Sequence, residues 1–341
     1  METLRGLVQD TYVRVGVLGA AGLGLAYLGT NYYKKKFEWT EVGYLKTIYI
    51  YPLKCGKGIE LKQVKCGPRG PESFLYLDRQ FAVYRIGKEE VEVMDVRGRY
   101  SKLVLLSMVN NNGTWTIKGE AGNEHTFDEP TDSSKSVVGR LLDIQLEGLD
   151  CGDDVANWIS QFIGEPLRLL KHKAGSTNRI VRPKWRKAFP ETFPGSSKFT
   201  VPTYADVTPY MITSETSLED LNSKLPFPMG HDTFRPNFVV DGAELKPWTE
   251  DGWTGQIRIG EVVLDFNLPC TRCLSTKNNP ATGEIYPNNE PLTTLKTFRQ
   301  HSKELTHIRR IVGDSPTFGV HFSPVQLGTV RLGDKVMVRR R

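Results

Sequence analysis

Short runs of β-branched and aromatic residues recur along this chain, each stopped within a few residues by Pro or Gly, and that pattern constrains the fold more than anything else. Val42 to Tyr51 (VGYLKTIYIY) is one such run and ends at Pro52, so it reads as a strand with a turn behind it. Phe74 to Ile86 reads as a strand pair broken at Asp78-Arg79, followed by short strands at Val91 to Val96, Leu103 to Val109 and Thr114 to Lys118. The period changes between Cys151 and Gly164, where Val155, Trp158, Ile159 and Phe162 fall at i, i+3, i+4 and i+7. That is one face of a helix, begun by Asp153-Asp154 and closed by Gly164. A second amphipathic helix carries Leu218, Leu221 and Leu225, with Ser217 three residues before Asp220 as its cap. Further strands follow at Phe238 to Val240, at Gly255 to Ile259, and at Val262 to Phe266 across a Gly260-Glu261 turn; Val330 to Val338 closes the set. With 32 Gly and 20 Pro in 341 residues, an all-helical bundle is excluded. The chain is expected to be α+β and mainly β, a β-barrel core with peripheral helices. Pro166, Gly175 and Pro183 punctuate a polar stretch and place a junction near residues 165–183. The expected organisation is an N-terminal anchor at 1–40, a β-rich region at 41–170 and a second domain at 171–341.

Residues Val15 to Tyr33 carry no charge. Helical residues rise about 1.5 Å each, so this segment spans roughly 28 Å, close to the ~30 Å hydrocarbon core of a bilayer. It is rich in glycine (Gly16, Gly19, Gly22, Gly24, Gly29), ends in Tyr27, Tyr32 and Tyr33, and is followed at once by Lys34, Lys35 and Lys36. It reads as a transmembrane signal anchor whose lysine side, and with it the rest of the chain, faces the cytosol. Such a short, weakly apolar anchor suits the mitochondrial outer membrane, with the endoplasmic reticulum as the alternative.

The net charge of +6 fits anionic lipid, an acidic partner or an anionic cofactor, and no zinc-finger, homeodomain or RRM signature accompanies it, so no nucleic-acid partner is expected. Five cysteines are too few, and odd in number, for a disulfide scaffold; reduced thiols are the expectation.

Cys270-Thr271-Arg272-Cys273 is the sharpest chemical feature, and its sequence leaves several readings open. Zinc could use both thiols with His301 and His307, although 27 residues separate Cys273 from His301, against roughly 12 to 15 in a finger. Thioredoxin-like exchange needs the motif at a helix start, and the residues that follow, LSTKNNPATGE, are turn-rich. The thiols could be structural. A single thiolate could instead bind a soft transition metal, leaving other positions for a cofactor and a substrate. Anion-binding pieces accompany the motif. Pro52 to Gly58 (PLKCGKG) offers backbone N–H groups with Lys54 and Lys57, yet lacks the P-loop spacing. Asp78-Arg79 and Phe234-Arg235-Pro236-Asn237-Phe238 each set an arginine fork beside a strand.

IYPLKCGKG, LDRQFAV, YADVTPYMITSETSLEDLN, TFRPNFVV and LPCTRC occur in that order. From about Val42 to the C-terminus this set resembles the MOSC-domain proteins, and within them the mitochondrial amidoxime-reducing branch. The resemblance implies a MOSC-type β-barrel core, a preceding MOSC N-terminal β-rich region and a molybdenum cofactor (Mo-molybdopterin). It implies that Cys270 completes the sulfur ligation of the metal, with Cys273 behind it. It implies that Lys54, Cys55, Arg79, Thr208, Arg235 and Asn237 cradle the pterin and its phosphate. The implied reaction is two-electron reduction of N-hydroxylated compounds, such as amidoximes to amidines, with loss of water. The implied electron source is NADH by way of NADH-cytochrome b5 reductase and cytochrome b5. Asp206 is the candidate for proton handling, and the basic run Arg179 to Lys187 is a candidate docking site for an acidic cytochrome b5. The chain departs from the family pattern twice. Cys55-Gly56 stands where relatives have Ser-Cys, and Asp206-Val207-Thr208-Pro209 stands where they often have Asp-Thr-Ser-Pro, so a hydroxyl is lost at each place. The alternative implied by more distant relatives is a sulfur carrier with a persulfide on Cys270.

Overall fold

The structure is a computed structural model that describes residues 38–86, 91–93, 98–141, 144–175, 202–301, 309–310 and 312–339. The segment read as a membrane anchor lies outside the described residues, as does Arg179 to Lys187. No helix among the described residues is long and apolar enough to cross a membrane.

Seven strands close the larger barrel. Their order around it is Phe238–Asp241, Tyr210–Ser214, Thr317–Gln326, Val262–Thr271, Gln256–Ile259, Lys335–Arg339 and Thr40–Ile50, which pairs back onto Phe238–Asp241. The apolar side chains of these strands fill the interior. Leu45, Ile48, Ile212, Phe238, Val240, Ile257, Leu264, Val320, Phe322 and Val336 share one buried cluster. Tyr210–Ser214 and Phe238–Asp241 are parallel neighbours, so the chain must cross over between them, and helix Glu215–Asn222 makes the crossing. The strand Thr40–Ile50 is supplied from the other end of the chain, and it carries the polypeptide from this barrel directly into the Pro52 turn.

A second, five-stranded barrel is formed by Phe81–Ile86, Val91–Val93, Ser136–Leu141, Ile144–Asp150 and Arg168–His172. Helix Asp153–Ile163 and the three-stranded sheet Ser107–Asn111, Thr114–Lys118 and Glu124–Asp128 complete this half. Leu53, Phe81, Leu105, Trp115, Val155, Ile159 and Leu169 form its core, with the Phe81 and Trp115 rings edge to face at 4.8 Å.

The mainly β expectation holds, with local corrections. The first arm of the Phe74 to Ile86 pair is a turn: Phe74 is 97% exposed, and the side chains of Ser73 and Gln80 accept from the N–H groups of Tyr76 and Leu77 in place of a strand partner. Leu103 to Leu105 lie in the 3-10 helix Gly98–Leu105, because an apolar run that short suits either structure. The Val262 strand runs on to Thr271 and contains Pro269 and Cys270. Val330 to Val338 is two strands, Gly328–Arg331 and Lys335–Arg339, parted where Asp334 accepts from the Arg331 N–H at 2.8 Å. The helix cap is Ser214, whose Oγ accepts from the Ser217 N–H at 3.2 Å, so Ser217 lies inside the helix. Tyr210–Ser214 and Thr317–Gln326, both central, were not read as strands; fully buried segments lack the alternation that marks half-buried ones.

Candidate functional site

The chain leaves the larger barrel at Tyr51, which is fully buried and donates its N–H to Asp78 Oδ1 at 2.9 Å. The next residues turn back on themselves against the smaller barrel. Lys54 donates its N–H to the Phe81 carbonyl at 2.8 Å, Cys55 takes a left-handed φ of 69°, and the Gly56 N–H reaches the Leu53 carbonyl at 3.1 Å. A Cβ on Gly56 would stand 2.7 Å from the Leu106 oxygen, so the close approach requires glycine. The Lys54 side chain is buried, and its Nζ donates to the Tyr204 carbonyl at 3.1 Å and meets Asp206 Oδ1 at 2.5 Å. Asp206 is itself largely exposed.

Two arginines converge above this turn. Arg79, with φ 48°, pairs Nη1 with Asp78 Oδ2 at 2.5 Å and donates Nη2 to the Arg235 carbonyl at 3.0 Å. Arg235, with φ 59°, donates Nη1 to the Gly56 carbonyl. Both guanidiniums lie over the Tyr51 ring, 4.4 and 4.3 Å from its centroid. The other terminal nitrogen of Arg235, Nη2, is buried with no hydrogen-bond partner. Burial first, and then the charge of Arg79, holds Arg235 below the ordinary arginine value. A buried cationic donor without an acceptor is costly.

Cys270 lies at the end of strand Val262–Thr271, whose pairing with Thr317–Gln326 shifts register three times, the last between Pro269 and Thr271, around Cys270 itself. Such bulges re-aim side chains. Its thiol is buried among Met211, Phe234 and Phe318. Burial pushes the thiol above its ordinary value, the charge of Arg272 pulls it back, and Asp206 and Arg79 are also felt there. Arg272 is buried and caged by carbonyls: Nε and Nη2 donate to Phe318 at 3.0 and 2.5 Å, and Nη1 donates to Phe234 at 2.9 Å. Nearby, Thr208 Oγ1 donates to the Tyr210 carbonyl at 3.1 Å and stands 2.9 Å from His321 Nδ1. Burial, then the Arg272 charge, drives His321 down to about 3, so it is neutral at physiological pH.

The structure therefore brings Lys54, Cys55, Arg79, Arg235 and Asp206 to one turn, and the charges of Arg79 and Asp206 reach both Cys270 and the Thr208–His321 pair. Asn237 is used differently. Its Oδ1 accepts from the Met211 N–H at 3.2 Å and its Nδ2 reaches the Tyr49 carbonyl at 3.5 Å, which ties two barrel strands together. Cys273 is exposed, and the 3-10 turn Leu274–Lys277 begins only after it, so Cys270 stands in a strand rather than at a helix start. His307 lies outside the described residues, and no group of three metal-ligating side chains occurs among those described. Sequence reasoning passed over Tyr51, Asp78, Tyr204, Arg272 and His321 as site residues. Asp78 and Arg272 adjoin chosen residues inside motifs, a signal that was available; His321 sits in an unread strand and gave none.

A cluster of buried cations with a spare donor, in electrostatic reach of a thiol on a barrel strand, suits an anionic cofactor with a thiophilic metal. The chemistry of the donors fits that group. Two family models match the chain: the MOSC domain over residues 200–337 and the MOSC N-terminal beta barrel domain over residues 42–166. MOSC domains bind the molybdenum cofactor. Mitochondrial amidoxime-reducing component 1 of Homo sapiens is 31% identical over 333 residues, covering 95% of this chain and 93% of that protein. Its counterpart in Danio rerio is 31% identical over 326 residues (94% and 93%), and mitochondrial amidoxime reducing component 2 of Homo sapiens is 29% identical over 331 residues (94% and 92%). The chain belongs to the family of mitochondrial amidoxime-reducing components.

Proposed function

We propose that this protein reduces N-hydroxylated compounds, amidoximes to amidines among them, at a molybdenum cofactor held between the Pro52 turn and Cys270. The observation that carries the reading is the buried Arg235 Nη2 without a partner, set beside Arg79 and Lys54 and within one charge network with Cys270. In this reading Lys54, Arg79 and Arg235 bind the anionic end of the cofactor, and Cys270 Sγ is the protein's ligand to the metal. When bound, the cofactor supplies a redox centre that delivers electrons in pairs. The reaction consumes two electrons and two protons, breaks the N–O bond and releases water. Asp206, exposed and paired with Lys54, is placed to exchange protons with solvent beside the cradle. Met211, Phe234 and Phe318 keep water from the thiol. The electrons come from NADH through NADH-cytochrome b5 reductase and cytochrome b5, and the catalytic body faces the cytosol from the mitochondrial outer membrane. The mitochondrial relatives support the organelle, and the net charge of +6 suits an acidic electron donor.

The test is elemental analysis and pterin fluorescence of the full chain beside Cys270→Ala, with reduction of a benzamidoxime as the activity. Near-stoichiometric molybdenum in the first, and loss of activity in the second, are expected. Zinc in place of molybdenum, or no metal after reconstitution with cofactor, would overturn the reading.

A further inference from the structure

Tyr204 joins the two barrels at the cradle. Its ring is fully buried and stands edge to face against Tyr84 at 5.9 Å and His172 at 5.5 Å, both on strands of the smaller barrel. A Cβ on Gly148 would come within 2.6 Å of the Tyr204 hydroxyl oxygen, so that strand leaves the ring a seat. The backbone of the same residue serves the cradle. Its N–H donates to the Arg79 carbonyl at 3.2 Å, and its carbonyl accepts from Lys54 Nζ at 3.1 Å. The preceding residue works in the same direction, with Thr203 Oγ1 donating to the Asp78 carbonyl at 2.5 Å. Two residues later Asp206 takes the Lys54 ammonium.

We propose that Tyr204 is a positioning residue for the cofactor: its ring, seated in the smaller barrel, fixes where Lys54 and Arg79 stand. The proposal rests on the cofactor reading above. The physical case is that Lys54 and Arg79 both need outside restraint. Arg79 holds a left-handed φ of 48°, a conformation that persists only when its surroundings over-determine it. Lys54 ends in a flexible four-carbon stem that loses its fixed place without a carbonyl to hold the ammonium. One side chain locked among aromatic rings restrains both through its own peptide groups. Ile257 is the natural comparison. It is equally buried, on the strand Gln256–Ile259 of the larger barrel, in a cluster that contains neither Tyr204 nor the cradle residues Lys54 and Arg79.

The experiment compares the full chain with Tyr204→Leu, Tyr204→Phe and Ile257→Ala, reading cofactor dissociation by pterin fluorescence, molybdenum per chain and thermal melting. Tyr204→Leu is expected to release the cofactor about tenfold faster, the effect of one lost charge-assisted contact. Tyr204→Phe, which keeps the ring, is expected to hold the cofactor like the wild type. Ile257→Ala is expected to lower the melting temperature to a similar degree while holding the cofactor normally. If Tyr204→Leu fails to fold, Tyr204→His carries the same comparison. Normal retention in the folded Tyr204 variant, or equal loss in Ile257→Ala, would overturn the positioning role. A wild-type chain without molybdenum would instead overturn the cofactor reading, so the two failures are distinct.

Discussion

Replacing Arg235 with alanine separates a binding group from a structural one. In the absence of cofactor, Arg235 contributes in two opposed ways. Its Nη1 bond to the Gly56 carbonyl and its contact with the Tyr51 ring are favourable, worth about 1.5–3 and 0.5–2 kcal/mol for contacts of this kind. Its buried Nη2 has no acceptor, which costs about 1–3 kcal/mol or more for a charged group. The terms offset, so cofactor-free Arg235→Ala is expected to change in stability by no more than about 2 kcal/mol. On the proposed reading the cofactor supplies the missing acceptor, and one charge-assisted bond of about 1.5–3 kcal/mol corresponds to roughly a 10- to 150-fold change in affinity. The variant should therefore fold almost normally and bind cofactor weakly. Urea unfolding of the cofactor-free chains measures the first quantity, and titration with isolated cofactor followed by pterin fluorescence measures the second. A variant that loses about 4 kcal/mol or more of stability yet binds normally would show that Arg235 is a structural arginine, as buried pairs often are.

Two further outcomes are expected. Glu250 is fully buried, and its Oε2 accepts from Ser217 Oγ at 2.8 Å and Ser214 Oγ at 3.0 Å; burial raises its pKa, against the pull of the Ser217 bond. An acid whose folded value is raised contributes its stability in full below its ordinary value and loses it as pH rises through the folded one. Glu250→Gln should then melt like the wild type near pH 4 and above it at pH 8, and a melting difference that does not change with pH would refute the buried-acid account. At Cys55, a thiol is a weaker donor than a hydroxyl, so Cys55→Ser should hold cofactor about 2- to 10-fold more tightly; weaker retention in a dissociation assay would mean that the sulfur has a different role.

How much of this was legible in the sequence depended on how far each feature is local. The strand Thr114–Lys118 alternates cleanly because one face is buried and the other is not, and its bounds were read correctly. Helix Asp153–Ile163 was marked at both ends by its acidic first turn and by Gly164, which adopts the left-handed cap. Tyr210–Ser214 is buried at every position, so no periodicity betrayed it, yet it is the strand to which Thr208 leads and from which the crossover helix departs. The cradle was legible as separate motifs because each places an arginine or a lysine at a turn beside a strand. Its assembly was not, since Arg235 meets Gly56 across a separation of 179 residues, and the strand exchange that brings them together is a property of the closed barrel. Asn237 shows the opposite limit: its motif marks it beside Arg235, while its side chain is taken up by the peptide groups of Met211 and Tyr49.

The backbone itself argues that the cradle is kept for binding and not for stability. Among the described residues, eight that are not glycine have a positive φ, and Cys55, Arg79 and Arg235 are three of them. Glycine or asparagine would occupy these places at lower cost, since left-handed non-glycine residues store roughly 1–3 kcal/mol each. At Arg79 the strain is held by contacts from outside the turn, its N–H on the Tyr51 carbonyl at 2.6 Å and the Tyr204 N–H on its carbonyl at 3.2 Å, while the Arg235 N–H closes its own turn on the His231 carbonyl at 2.8 Å. A left-handed residue turns the chain sharply while its own side chain remains available, so each turn can present its cation or thiol to a common space without a further residue to carry it. An anion that enters this space meets side chains already fixed in place, and little of its binding free energy is spent on ordering them. Strain, an unmade donor and a buried thiol in one charge network are each unfavourable to the empty fold, and on the proposed reading an anionic ligand with a metal offsets the last two.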